Sequence, residues 1–98
     1  MGALTLDDLE RRRERLLDLA ARHGAVRLRV FGSVARGEAT PTSDIDFLVE
    51  MAPGRSLFDL GALQMDLTDD LGRPVDVVSE EGLVSPRRER ILGEARAL

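Results

Sequence analysis

Three aspartates stand at positions where a carboxylate serves no packing purpose. Asp44 and Asp46 flank Ile45 at the start of an apolar run, and Asp76 interrupts the apolar segment at residues 74–78. Because alternate residues of a strand point to the same face, Asp44 and Asp46 can direct their carboxylates into one small volume. Two such carboxylates repel each other unless one is protonated or a cation lies between them. The spacing alone is equally compatible with a solvated turn before a strand.

Ligands that offer only oxygen favour a hard cation such as Mg²⁺, which takes the rest of its shell from water and substrate phosphates. Two such ions can clamp the attacking and leaving oxygens of an in-line displacement at phosphorus. If the strand of Asp76 lies beside the strand of Asp46, a third carboxylate can hold the metal near an acceptor hydroxyl, or accept its proton. Asp44, Asp46 and Asp76 are therefore candidate catalytic metal ligands. The alternative is that Asp76 has no catalytic role and simply faces solvent on an edge strand.

A phosphate-binding segment is indicated at Gly32 and Ser33. Glycine at the end of a strand lets the backbone approach a phosphate closely, and successive N–H groups form an anion-binding concavity. The Ser33 hydroxyl can donate to the same phosphate, and Arg36 either contacts phosphate or lies in water. Gly32, Ser33 and Arg36 are the predicted nucleotide-binding residues.

Other motifs of this chemistry are excluded. All 14 basic residues are arginine, so a P-loop lysine cannot exist. A calcium-binding EF-hand loop starting at Asp44 would need glycine and glutamate where the chain has Val49 and Arg55. The aspartyl-phosphate enzymes of the haloacid dehalogenase type place an apolar strand before their aspartates, whereas here the apolar run follows them.

The elements that must position these residues follow from caps and periodicity. A helix is predicted from the Thr5 cap to the Gly24 stop, and a half-buried strand over residues 26–30, in which Val26, Leu28 and Val30 alternate with arginines. A loop with a helical turn at residues 34–37 leads to a strand at 44–49. There Ile45, Phe47 and Val49 share one face, and Asp44, Asp46 and Leu48 share the other.

The second half of the chain predicts a helix, a strand and a last helix. Ser56 caps a helix that Gly72 ends, and its predicted apolar face comprises Leu57, Leu60, Leu63, Leu67 and Leu71. A strand follows at residues 74–78, and Ser85-Pro86 opens the last helix, with Pro86 at the first helical position. The order α-β-β-α-β-α predicts an α/β (α+β) fold, a small mixed β-sheet with helices packed on it.

Composition narrows the class of protein further. A length of 98 residues fits a single domain over residues 1–98, and the absence of cysteine excludes disulfides and thiolate metal sites. A net charge of −4 argues against stable nucleic-acid binding. No apolar run approaches the length of a membrane span, so a cytoplasmic protein is the expectation.

The combined motifs resemble a known family. Gly32-Ser33, ten intervening residues and then Asp44-Ile45-Asp46 resemble the signature of the nucleotidyltransferase superfamily that includes DNA polymerase β. The longer string GSVARGEATPTSDIDFLVE, with PVDVVSEEGL and RRERILGEARAL after it, resembles the minimal nucleotidyltransferases (MNT), the antitoxins of HEPN–MNT toxin–antitoxin pairs. One departure is Phe47, where the family commonly has leucine; it lies on the predicted buried face.

The resemblance implies a fold and an activity. It implies the polymerase β-like nucleotidyltransferase fold and transfer of AMP from ATP to a tyrosine hydroxyl of a HEPN ribonuclease toxin, which silences the toxin. Asp44, Asp46 and Asp76 would then hold two Mg²⁺ ions, and Gly32 and Ser33 the ATP phosphates. The chain would work as a hetero-oligomer with that toxin.

Two alternatives remain open at this point. The chain could be a non-catalytic antitoxin that acts by steric binding and keeps a vestigial nucleotide site. It could also transfer a nucleotide to a small molecule such as an aminoglycoside, although such enzymes usually carry an added substrate domain.

Overall fold

A four-stranded mixed sheet lies at the centre of the computed structural model, which describes residues 2–98. The elements in chain order are α1 (Leu6–Arg11), α2 (Arg13–Arg22), β1 (Ala25–Phe31), α3 (Gly32–Ala35), β2 (Ile45–Met51), α4 (Leu57–Leu71), β3 (Val75–Ser79), a 3-10 turn (Glu80–Gly82), α5 (Arg87–Glu94) and β4 (Arg96–Ala97). The strand order is β3-β2-β1-β4. β1 runs antiparallel to β2 and β4, and β2 runs parallel to β3. The predicted fold class is confirmed.

One face of the sheet carries the main hydrophobic core. Ile45, Phe47 and Val49 are buried there, as their alternation predicts, and the helices α1, α2 and α4 cover them. The helical side of this core consists mainly of leucines at helical spacing, namely Leu9, Leu16, Leu19, Leu63, Leu67 and Leu71. This core fixes β2 between β1 and β3, and so fixes the position of the aspartates that β2 carries.

A second, smaller core lies on the opposite face of the sheet. It consists of the buried residues Phe31, Leu48, Leu83 and Ile91, and the partly buried Leu92 packs against them. Leu48 shares the face of Asp46 and is nevertheless fully buried, because α5 covers that part of the face. The second core thereby holds α5 close to the strand end where the aspartates lie.

Local signals located the helix ends well. Both predicted caps are present, and each is a capping box, Thr5 with Asp8 and Ser56 with Asp59; Gly72 ends α4 in the left-handed conformation. In each box the side chain of the first residue accepts a backbone N–H of the helix, and the aspartate accepts the N–H of the cap.

Three predictions about the helices are wrong, and one edge strand was missed. The first helix is two helices, because the chain leaves helical geometry at Arg12, where arginines interrupt the apolar stripe. Leu57 is 83% exposed rather than part of the apolar face, since it is the first residue of α4 and points outward. Pro86 caps α5 instead of starting it. The two-residue strand β4 was not predicted, because it is too short to show alternation.

In β1, Leu28 and Val30 are buried as predicted, but Val26 and Arg29 depart from the predicted alternation. The register with β2 slips between Ala25 and Arg27, so Val26 is 64% exposed. Arg29, predicted to face solvent, is only 8% exposed and donates to Glu80 at 2.7 Å. Separately, no helix within residues 2–98 is long and apolar enough to cross a membrane.

Candidate active site

The register of the sheet brings two of the predicted aspartates side by side. Asp46 of β2 pairs with Asp76 of the parallel strand β3, and on its other side with Phe31 of β1. Residues paired across neighbouring strands point to the same face, so the two carboxylates project from one side of the sheet. Asp44 lies just before β2 and is exposed, whereas Asp46 is half-buried. The neighbouring strands that the metal-site prediction required are present.

The electrostatics of Asp46 are unfavourable to its charge. Burial raises the pKa of its carboxyl, and the carboxylates of Asp76 and Asp44 raise that pKa further, while Arg36 opposes them. An ionised Asp46 is therefore stabilised by any cation that enters this space. As the side chains lie, residues 2–98 contain no group of three acidic or histidine side chains gathered closely enough to hold a metal ion. The donors fit Mg²⁺ in kind, since all of them are carboxylate oxygens.

Gly32 is favoured over other residues by its backbone conformation and by its close approach to Asp46. Its φ is +73°, in the left-handed region that side chains rarely adopt. A Cβ built at Gly32 would lie 3.2 Å from Asp46 Cγ and inside 3.0 Å of its Oδ2, closer than real Cβ atoms approach. Glycine therefore lets the turn after β1 pass directly beside the carboxylate, which joins the predicted phosphate segment to the predicted metal ligands.

A cavity of about 460 Å³ opens at this point. Five of the six predicted site residues line it, and they are Gly32, Ser33, Arg36, Asp44 and Asp46. Asp76 does not line the cavity and reaches the site only through its pairing with Asp46. The predicted phosphate-binding residues and two of the three predicted metal ligands thus share one open space.

The opposite wall of the cavity comes from α5 and was not predicted. Arg87, Arg90, Ile91 and Glu94 line it, and their spacing places them on one face of the helix. Buried Ile91 seats the helix, and Arg87 and Arg90 are exposed beside it. The sequence does contain a signal for this wall, namely the helical spacing of these polar residues around Ile91. Only the packing of the second core, however, shows that this face of the helix is turned toward the cavity.

Two of the predicted phosphate donors already have a carboxylate partner. The Gly32 N–H donates to Glu94 Oε1 at 2.9 Å, and Arg36 Nη1 donates to Glu94 Oε2 at 3.0 Å. Arg36 Nε also donates to Glu38 at 2.8 Å. These hydrogen bonds to Glu38 and Glu94 raise the pKa of the Arg36 guanidinium above its ordinary value. Arg36 therefore faces the cavity as a charged group.

The class of protein follows from this arrangement and from a family comparison. The family model of the nucleotidyltransferase domain matches residues 9–98, and the chain therefore belongs to this family. The match includes every predicted site residue. The predicted resemblance is confirmed.

Individual relatives narrow the family further. The chain is 36% identical over 95 residues to the protein adenylyltransferase MntA of Thermococcus cleftensis, and the alignment covers 96% of each chain. A solved structure described as a candidate minimal nucleotidyltransferase is 54% identical, with a TM-score of 0.85 and 97% of each chain covered.

The same fold occurs in a toxin–antitoxin complex. A chain in the structure of a tri-AMPylated HEPN toxin of Shewanella oneidensis in complex with an MNT antitoxin superposes with a TM-score of 0.69. The match covers 90% of this chain and 69% of that chain, at 17% identity. At this identity the likeness concerns the fold.

Proposed function

We propose that this protein transfers AMP from ATP to a tyrosine hydroxyl of a partner HEPN toxin and thereby neutralises it. The observation that carries the proposal is the position of Asp46, which pairs with Asp76, lies against Gly32 and lines one cavity with Ser33 and Arg36. Membership of the nucleotidyltransferase family and the likeness to MntA support this chemistry.

The nucleotide would enter with its phosphates toward the Gly32–Ser33 turn. The Ser33 hydroxyl is half-exposed in the cavity and can donate to a phosphate oxygen. The guanidinium groups of Arg36, Arg87 and Arg90 lie around the same space and match the charge of a triphosphate. These cations would also stabilise the pyrophosphate that leaves.

The carboxylates would act on the other side of the α-phosphate. Asp44, Asp46 and Asp76 are the groups that would hold Mg²⁺, and bound Mg²⁺ would neutralise charge that develops on the phosphate oxygens. Asp76 is exposed and can accept the proton of the incoming hydroxyl. The hydroxyl oxygen forms a bond to the α-phosphorus, and the bond from that phosphorus to the bridging oxygen of pyrophosphate breaks.

The acceptor would be supplied by another protein. The chain contains no tyrosine, so AMP-tyrosine formed in a reaction mixture must lie on the partner. The cavity is open rather than enclosed, and the chain has little further surface with which to select a hydroxyl by itself. The partner would therefore provide most of the specificity, in a hetero-oligomer.

The test uses ATP labelled at the α-phosphate or at the γ-phosphate, with Mg²⁺ and the HEPN protein from the same organism. Adenylyl transfer predicts that only the α-label reaches the HEPN protein, and that EDTA or the variant Asp44→Ala prevents it. Label transferred equally by wild type and Asp44→Ala would contradict the proposed site. No transfer by wild type would contradict the proposed activity.

A second experiment separates covalent from steric neutralisation. After the reaction, the chain is removed under mild denaturation, and the ribonuclease activity of the refolded HEPN protein is measured against a sample treated without ATP. Covalent silencing predicts that only the sample treated with ATP stays inactive. If both samples regain activity, the chain acts by steric binding.

A further inference from the structure

We propose that Glu94 holds the position of a nucleotide phosphate, and that ATP reaches its full set of donors only when Glu94 leaves them. This inference rests on the proposed function, because it concerns the same cavity. Glu94 thereby becomes a residue that sets the affinity of the site for the triphosphate.

The contacts of Glu94 are those expected of a phosphate. One carboxylate oxygen accepts the Gly32 N–H at 2.9 Å and the other accepts Arg36 Nη1 at 3.0 Å. A backbone N–H and a guanidinium presented to the same anion form a combination that also suits phosphate oxygens. The carboxylate therefore satisfies, from within the chain, two donors that the sequence predicts for the nucleotide.

Glu94 and the triphosphate cannot share these donors. The cavity already holds the carboxylates of Asp44 and Asp46, and Glu94 adds a third negative charge to its lining. A triphosphate that enters while Glu94 stays in place meets like charge at close range, and it loses the Gly32 N–H and part of Arg36. Binding with all donors therefore requires the Glu94 side chain to move.

The position of Glu94 in α5 permits such a movement. Glu94 is the last residue of the helix, and Ala95 after it is extended. The helix is anchored one turn earlier by Ile91, which is buried in the second core. The Glu94 side chain is partly exposed, so it can swing toward solvent while Ile91 and the helix stay seated.

As a consequence, the site binds phosphate more weakly than its hydrogen-bond donors would bind it without the Glu94 carboxylate. Removing the charge of Glu94 while keeping its shape should tighten phosphate binding, because the competitor is weakened and the repulsion is lost. Glu38 provides a matched control, since its carboxylate also pairs with Arg36 but does not contact Gly32, and its side chain is more exposed than that of Glu94.

The experiment measures the Kd of inorganic pyrophosphate with Mg²⁺ by calorimetry, without any partner protein. Glu94→Gln should lower this Kd about tenfold, since a charge next to the ligand is removed. Glu38→Gln should change it less than about threefold, because exposed pairs are well screened. Glu94→Asp, whose shorter side chain cannot span both donors, should bind more tightly than wild type and less tightly than Glu94→Gln.

Each outcome has a distinct meaning. Equal or weaker binding by Glu94→Gln, with a circular dichroism spectrum like that of wild type, would overturn the inference and leave the proposed function standing. Equal tightening in Glu38→Gln would also overturn it, because general charge would then explain the effect. Absence of binding in every variant would overturn both the inference and the proposed nucleotide site.

Discussion

Replacing Gly32 by alanine tests the link between the phosphate segment and the metal ligands. The substitution adds one methyl group at a residue whose φ is +73°, against the carboxylate of Asp46. A matched control exists in Gly72, which has a φ of +67° and where an added Cβ would meet no atom within 4 Å. Gly72 ends α4 and does not line the cavity.

The two variants share one cost and differ in another. A left-handed φ costs alanine about 1–2 kcal/mol relative to glycine, and this applies to both positions. Only Gly32→Ala also brings a methyl group inside 3.0 Å of Asp46 Oδ2. Because that carboxylate must shift by about 1 Å to make room, we expect adenylyl transfer to fall on the order of 100-fold.

The assay pairs a stability measurement with a rate measurement. Urea denaturation should show a loss of about 1–2 kcal/mol for Gly72→Ala and a larger loss for Gly32→Ala. The rate of transfer to the HEPN protein, measured at a temperature where both variants are folded, should fall only for Gly32→Ala. A stability loss of about 1 kcal/mol corresponds to about 4–8 °C in Tm for a domain of this size.

Two results would refute the reasoning. If both variants lose the same stability and keep full activity, Gly32 is needed only for its backbone conformation. If both lose activity equally, the loss reflects general destabilisation, and the approach of Gly32 to Asp46 has no special role in transfer.

Three further predictions concern single charges. Asp46→Asn should abolish transfer. It should also raise the unfolding free energy in urea denaturation by about 0.5–1 kcal/mol, because one of two like charges on paired strands is removed. A destabilised variant would contradict this prediction. Arg90→Gln should weaken ATP binding about tenfold in calorimetry. The control Arg13→Gln should leave ATP binding unchanged, because Arg13 is exposed and lies outside the cavity. Equal effects of the two variants would exclude a specific contact of Arg90 with ATP. Glu80→Gln should cost about 2 kcal/mol of unfolding free energy, because Arg29 stays buried without its charged partner; an unchanged urea midpoint would contradict it.

The parts of the site that depend on local sequence were predictable. Strand periodicity predicts that Asp44 and Asp46 share one face, and both line the cavity although β2 begins only at Ile45. Glycine with serine at a strand end is a local signal for a phosphate turn. The helix caps at Thr5 and Ser56 follow from residues three positions apart. Each of these features is determined by neighbours in the chain.

The parts that depend on distant contacts were not predictable. Glu94 meets Gly32 across 62 positions, and Arg29 meets Glu80 across 51. Periodicity within a segment cannot reveal such distant partners. The second core decides where α5 and its Glu94 lie, and Glu80 belongs to the turn that follows β3. The exposure of Val26 likewise depends on a register slip between two strands.

The most direct test of the central claim is the mass and site of modification of the HEPN protein after incubation with this chain, ATP and Mg²⁺. The account predicts a mass increase by whole AMP groups, located on tyrosine by fragmentation, with wild type and not with Asp46→Asn. An unmodified HEPN protein that is still neutralised by wild type, or a modification that persists with Asp46→Asn, would contradict it.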